Sequence, residues 1–387
     1  MLRLIKKSIR TIKRFGFLEF LKRLGILIDR KISPSKYFHM IDSPTGEVLF
    51  VSGEPKNATS YYRCEIPAYQ LNTVGLSSDI VYEDFVNLEW IENYKYIIFY
   101  RTILNDTNKK ILEICKKKGI KTFFSVDDFV YRSDLIVNLD YYKNLDSGDA
   151  RRLVDRADSM IELIGQVDGG ISSTKYLARD MKKYIKGEVM VLRNGYKDTY
   201  DTLYNERINR NPNEKIVLGY FSGSETHDKD IDLIFPSLAR LFDKYSNLEL
   251  WVGGRFNYDF AKLGDRVKRF PFLPRDEFLK LKSKIDINLL PLEDSEFNRG
   301  KSEIKFTEAA LLGIMTVASN VGDLPEIIKH GETGFLAKSV DDWYEIISNI
   351  VEKKEKIGEI GQNARKYVLE KYAIMQSGKE FADFLRK

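Results

Sequence analysis

The sequence is poor in the residues that staple or metallate small folds. Among 387 residues there are two cysteines and three histidines. Cys64 and Cys115 cannot build a disulfide framework, and both read as reduced core residues of a cytosolic protein. His39, His227 and His330 lie far from one another and from the cysteines, without metal-ligand spacing. No run of 18 apolar residues occurs, so an ordinary membrane-spanning helix is not expected. What is present is ordinary for a folded chain: 43% hydrophobic, 31% charged and 12% aromatic residues. That balance excludes a mainly disordered or collagen-like protein, and the length predicts two domains or one very large one.

The charge is unevenly placed. Residues 1–36 hold eleven Lys or Arg against Glu19 and Asp29, a net +9, so the rest of the chain carries −4 of the total +5. Leu2, Ile5, Ile9 and Ile12 recur at helical spacing, followed by Leu18, Leu21, Leu24 and Ile28, with Gly16 and Gly25 as weak points. A basic amphipathic helix suggests an anionic membrane surface, to which each Lys or Arg contributes about 1 kcal/mol. Packing on the chain's own domain is the plainer alternative, and nucleic acid a third that is set aside. Charges recur too often for a secretory signal.

From residue 46 the pattern alternates strand and helix. Strands are expected at Glu47 to Ser52, Tyr96 to Tyr100, Lys121 to Val126, Gly169 to Ser172 and Glu188 to Leu192, with helical stretches such as Thr107 to Lys118 between them. Residues 199–214 are polar, with Asn209, Asn211, Pro212 and Asn213, and read as a linker. The alternation restarts with Ile216 to Phe221, Leu248 to Val252, Ile285 to Leu290 and Met315 to Ser319. Ser339 is placed to cap a last helical segment, with Asp341 and Asp342 near the positive end of its dipole. The expectation is an α/β protein of two similar halves: a basic segment 1–40, a first domain 46–198, the linker, a second domain 215–375 and a helix end at 376–387.

Gly300 to Glu308 (GKSEIKFTE) is the most informative stretch. It leads from a strand and loop into a helix, where free N–H groups and positive potential favour a phosphate. Lys301 and Lys305 share a helix face, and Glu308 follows on roughly the same side. A carboxylate there can accept from both hydroxyls of a ribose, whereas the plainer reading is a solvated face with a Lys305–Glu308 ion pair.

At this point the sequence resembles a known family. Thr307 to Ala337 (TEAALLGIMTVASNVGDLPEIIKHGETGFLA) is similar to the donor-binding signature of glycosyltransferase family 4. The match takes in Glu308, Gly313, Gly322, Pro325-Glu326 and Gly331 through Gly334. Gly219 to Asp230 (GYFSGSETHDKD) resembles the first strand and loop of the second domain in a bacterial cell-surface polysaccharide subgroup. Val167 to Gly195 resembles the end of the first domain. The resemblance covers about residues 46–375. It implies a GT-B fold, two Rossmann-like domains facing across a cleft, and sugar transfer from a nucleotide sugar with retention of configuration and no obligatory metal. The acceptor it implies is a glycan or lipid-linked glycan at the cytoplasmic face of the membrane.

One departure stands out. The family's first glutamate falls eight positions before Glu308, where this chain has Gly300, and Glu303 is too close to replace it. The expected donor contacts are Gly223, Ser224, Lys229, Lys301, Lys305 and Glu308. Asp127 and Asp128 follow a first-domain strand and are candidates for the sugar side of the cleft, with a turn cap and a metal pair as the competing readings. His227 is either a catalytic candidate or a surface histidine. Arg63 either meets an acceptor phosphate or forms a surface ion pair, and Tyr61 and Tyr62 read as packing residues. Two rival functions remain open: a non-catalytic GT-B-shaped partner of another transferase, favoured by the missing glutamate, and a sugar-nucleotide epimerase.

Overall fold

The apolar runs form strands buried on both faces. A computed structural model describes residues 17–209, 215–223, 228–254 and 258–387. The first domain holds β1 (Val48–Ser52), β2 (Ser78–Tyr82), β3 (Tyr96–Tyr100), β4 (Lys121–Val126), β5 (Gly169–Ser172) and β6 (Val189–Val191). The second holds β7 (Ile216–Ser222), β8 (Leu248–Gly254), β9 (Val267–Phe270), β10 (Ile287–Leu290), β11 (Met315–Ser319) and β12 (Phe335–Ala337). Every pairing between these strands is parallel. Parallel strands need covering helices on both sides, which is why they read as continuous apolar runs. Period-two alternation still sorts the side chains. Leu49, Val51, Ile97, Phe99, Phe124 and Val126 enter one core layer, and Val48, Phe50, Ile98, Tyr100 and Phe123 the opposite one.

The first sheet runs β2-β1-β3-β4-β5-β6 and the second β12-β11-β10-β7-β8-β9. In each, strand order reverses once, between β1 and β3 and between β7 and β10. Such reversal points open a crevice beyond the strands' carboxyl ends, where ligands bind in doubly wound sheets. At the first, Gly53 packs so close to Arg101 that an added Cβ would stand 2.4 Å from the Arg101 carbonyl oxygen. Arg101 itself has φ +48°, a rare left-handed backbone for a branched-free but bulky residue.

The helices start and stop where their caps dictate. Asn105 caps Asp106–Lys118 by accepting from the Asn108 N–H, and Gly119 ends it at φ +71°. Ser339 and Asp342 form a reciprocal capping box on Val340–Glu352. The last helix, Ile374–Arg386, returns to the first domain. Its Phe381, Ala382 and Leu385 fill that domain's core layer, and Ser377 receives a 2.7 Å hydrogen bond from Gln70. The stretch expected as a linker contains the helix Asp201–Ile208, and its residues 210–214 lie outside the described ones. Three strands escaped the sequence reading: β2, with alternating burial, and the edge strands β9 and β12.

Candidate functional site

The second-domain side of the cleft is built on the helix Ile304–Leu311, which follows β10 and a short helix, Glu296–Arg299, capped by Ser295. Glu308 is reached from both sides. Its Oε1 accepts from the Tyr62 hydroxyl at 2.7 Å, and its Oε2 accepts from the Lys282 ammonium at 3.0 Å. The Lys305–Glu308 pair of the plainer sequence reading is therefore replaced by a Lys282–Glu308 pair. Burial, with the neighbouring Glu308 charge, holds the Tyr62 hydroxyl well above the usual tyrosine range, so it stays a donor.

Lys301 and Lys305 differ in their partners. Lys301 reaches across to the first domain and donates to Asp128 Oδ2 at 2.7 Å, with its ammonium 4.6 Å from the Phe297 ring centroid. Burial lowers Lys305 to about 8; Lys301 and Lys282 push it the same way, and Asp230 opposes them. Among the described residues no carboxylate pairs with the Lys305 ammonium, which lies 5.9 Å from the Tyr220 ring centroid.

The two aspartates after β4 diverge. Asp127 Oδ1 accepts from Arg101 Nε at 2.8 Å and from the Tyr100 hydroxyl at 3.2 Å. Asp128 also accepts from the Phe129 N–H at 2.9 Å. Burial pushes the Asp128 carboxyl up, but Lys301 and Arg101 together hold it below its ordinary value. Each carboxylate thus has a protein cation of its own.

Arg63 lies inside the first domain, 1% exposed. Its guanidinium donates to the Leu192 carbonyl at 2.7 Å and sits 3.4 Å from Asn194 Oδ1 and Ser125 Oγ. It forms no surface ion pair and ties β4 to the segment after β6. Tyr62 does more than pack. Gly223 is exposed at the end of β7, with open space where a Cβ would stand. Ser224, His227 and the side chain of Lys229 lie outside the described residues.

Position 300, where the resemblance implied a glutamate, is crowded. A Cβ there would stand 2.6 Å from the Phe129 ring and 3.2 Å from Leu177. The first domain thus fills the space in which a side chain at position 300 would begin. Glu303, the nearest alternative, is buried and faces elsewhere. It accepts from Arg193 Nη1 and the Asn194 N–H, both at 3.3 Å, while Arg193 Nη2 donates to Asp323 at 2.7 Å. Burial raises the Glu303 carboxyl, and Arg193 opposes the rise.

Sequence reasoning missed Tyr62 as a donor, Lys282, Arg193 and Arg101. Lys282 is one of three lysines or arginines in Arg275–Lys282 and carries no local signal. Arg101 could have been found from its place at the end of β3, next to the strand-order reversal.

With this geometry described, its likeness to known proteins can be stated. Residues 203–367 match the family described as glycosyl transferases group 1. No curated protein matches the chain significantly in sequence. Among solved structures, Anabaena Alr3699/HepE in complex with UDP-glucose is similar at TM-score 0.58 and 15% identity, over 88% of this chain and 100% of that one. Sucrose-phosphate synthase from Thermosynechococcus elongatus gives 0.61 and 13%, over 88% and 98%. WaaG, described as a glycosyltransferase involved in lipopolysaccharide biosynthesis, gives 0.58 and 16%, over 87% and 99%. The shared architecture is the GT-B fold, and the family match supports a glycosyltransferase.

Proposed function

We propose that this glycosyltransferase moves a sugar from a nucleoside-diphosphate sugar to a glycan or lipid-linked acceptor in surface polysaccharide synthesis, with retention of configuration and no obligatory metal. The observation that carries the reading is the cluster of Glu308, Lys301 and Lys305 at the mouth of one helix, facing the first domain. Glu308 would take the ribose hydroxyls. Lys301 and Lys305, with Gly223 and Ser224 after β7 and Lys229 in the first turn of the helix Asp228–Lys244, would take the diphosphate. Positive charge placed where the diphosphate departs stabilises the transition state, and a closed cleft keeps water from the sugar. Asp127, Asp128 and His227 are the proposed groups on the sugar side. Arg63, being buried, is proposed to shape the acceptor side through Leu192 and Asn194.

The amino-terminal segment supports a membrane role at the inner face of the cell membrane. In the helix Phe17–Ile32, Leu24, Ile26, Leu27, Ile28 and Ile32 are 41–74% exposed. Apolar side chains left uncovered on a helix with basic neighbours suit an interface between water and anionic lipid. The chain then runs to Phe38, whose ring lies 4.5 Å from that of Tyr82 at the carboxyl end of β2 and 5.9 Å from the Arg30 guanidinium, so the last turn of the helix lies near that end of the first sheet.

A thermal-shift panel of UDP, GDP, ADP and CDP with their glucose conjugates tests the donor reading. UDP-glucose is the natural first member, because it occupies the similar Anabaena protein. A ligand at 100 times its Kd adds about 2.7 kcal/mol, a shift of about 5–10 °C. A shift with one nucleotide that Glu308→Ala abolishes is the expected result. No shift with any nucleotide would favour the non-catalytic partner, the reading to which Gly300 lends weight.

A further inference from the structure

Glu308 is gripped by two residues that no motif singles out. Lys282 ends the helix Arg275–Lys282 and is 1% exposed. Its ammonium donates to Glu308 Oε2 at 3.0 Å and to the Lys305 carbonyl at 3.2 Å. A buried ammonium is retained only where charge and hydrogen bonds replace its water, and here a single carboxylate and one carbonyl do so. From the other domain, Tyr62 donates to Oε1 at 2.7 Å. Tyr62 belongs to the π-helical turn Tyr61–Glu65, a wider turn that re-aims side chains and often marks functional positions. Behind it the network continues: the Arg275 guanidinium lies 4.3 Å from the Tyr61 ring centroid and donates to the Tyr200 hydroxyl at 2.5 Å.

One donor on each oxygen fixes the plane of a carboxylate and still leaves each oxygen a further lone pair. We infer that Lys282 and Tyr62 are positioning residues for the donor: they pre-orient Glu308 for a pair of vicinal hydroxyls, and Tyr62 makes that orientation depend on the first domain being in place. The inference rests on the reading of Glu308 as the ribose ligand. It adds a direction of coupling. A closed cleft presents an oriented carboxylate, so the nucleotide binds the closed form better, and by linkage the bound nucleotide favours closure.

Titration calorimetry of the full chain with UDP, or with whichever nucleoside diphosphate gives the thermal shift, tests this with four variants: Lys282→Met, Lys282→Arg, Tyr62→Phe and Glu308→Gln. Lys282→Met should weaken binding about tenfold or more, the scale of a lost hydrogen bond to a charged group, and Tyr62→Phe about three- to tenfold, less because Tyr62 acts on the donor only through Glu308. In the Glu308→Gln background Lys282→Met should cost less than about twofold, because the two residues act through one contact. Lys282→Arg should restore most of the affinity. In turnover assays the donor KM should rise with little change in kcat. An equal loss from Lys282→Met in both backgrounds would mean a merely structural role and overturn the inference. So would unchanged affinity in Lys282→Met and Tyr62→Phe alongside a loss in Glu308→Gln, which leaves the donor reading intact. Unchanged affinity in Glu308→Gln would overturn the donor reading itself. If Lys282→Met fails to fold, Tyr62→Phe, which removes a single oxygen, decides.

Discussion

Lys301 of the second domain and Asp128 of the first meet across the cleft at 2.7 Å, each side chain 17% exposed. If the diphosphate binds at Lys301 as proposed, it competes with that carboxylate for the same ammonium. Asp128→Asn should therefore raise the affinity for UDP about fivefold, equivalent to about 1 kcal/mol, the scale of a partly exposed pair. Calorimetry at fixed salt checks it. Weaker binding in the variant would place the diphosphate away from Lys301.

Lys305 supplies a pH signature. Its value of about 8 means that the ammonium is mostly charged at pH 7 and is lost as pH rises through that value. On the proposed reading a bound diphosphate requires the charge, so above pH 8 binding would take up a proton. UDP affinity should then fall by up to about tenfold per pH unit above 8, and the Lys305→Met variant should lack this limb. A wild-type profile flat from pH 7 to 9.5 would remove Lys305 from the diphosphate site.

Glu83, after β2, has one buried oxygen without a partner, and burial lifts its carboxyl to about 7 against the opposing pull of Arg156. A carboxyl raised in the folded state binds its proton more tightly there than in the unfolded chain. Its stabilising share is complete below about pH 4.5 and is lost as pH rises through 7. Glu83→Gln should remove this slope and stabilise the protein at pH 8 by about 1–2 kcal/mol, after allowance for partial exposure. Denaturant melts at pH 5.5 and 8 read the difference. A variant less stable than wild type at pH 8 would count against the assignment.

Arg193 neutralises two buried carboxylates, Glu303 and Asp323, whose side chains are 0% and 5% exposed. Arg193→Met leaves both without it and should cost about 3–5 kcal/mol, as breaking a buried ion pair typically does. Adding Glu303→Gln should recover part of the loss. Urea unfolding of the single and double variants checks both statements.

The exposed face of Phe17–Ile32 gives a prediction that does not depend on chemistry in the cleft. Ile28→Glu should reduce binding to vesicles of phosphatidylglycerol and phosphatidylcholine by about tenfold or more, since it removes an apolar side chain and adds repulsion. Cosedimentation in 50 and 300 mM salt checks it. Binding unchanged by both the substitution and salt would assign that face to another partner.

The sequence was most legible where one physical cause acted alone. β3, β4, β5 and β11 fall on their expected residues, and for β3 the cause is plain: strands buried on both faces read as near-continuous apolar runs. The strands it hid are edge or half-covered ones. β9, Val267–Phe270, has no buried side chain, and β12 has three residues. Lys301, Lys305 and Glu308 were visible because they lie within eight residues of one another beside a recognisable signature, although Lys301 precedes the helix Ile304–Leu311 and does not share its face with Lys305. Tyr62 and Lys282 were not, because what matters in each is a contact 246 and 26 residues away. Arg63 shows the opposite error: an arginine in a loop-like stretch reads as exposed, and only the fold reveals it as a buried strut between Leu192 and Ser125.

Gly300 has a consequence for how the two halves can separate. With no side chain there, the ring of Phe129 and the hydroxyl of Thr174, 3.4 Å from the Gly300 carbonyl, rest directly on the backbone that leads into the helix Ile304–Leu311. That stretch is thus a bearing surface on which one half rides against the other. Installing the family's glutamate by Gly300→Glu would not simply supply a lost functional group. It would act as a wedge under Phe129, prying the bearing apart and pulling Tyr62 and Asp128 away from the partners they now reach.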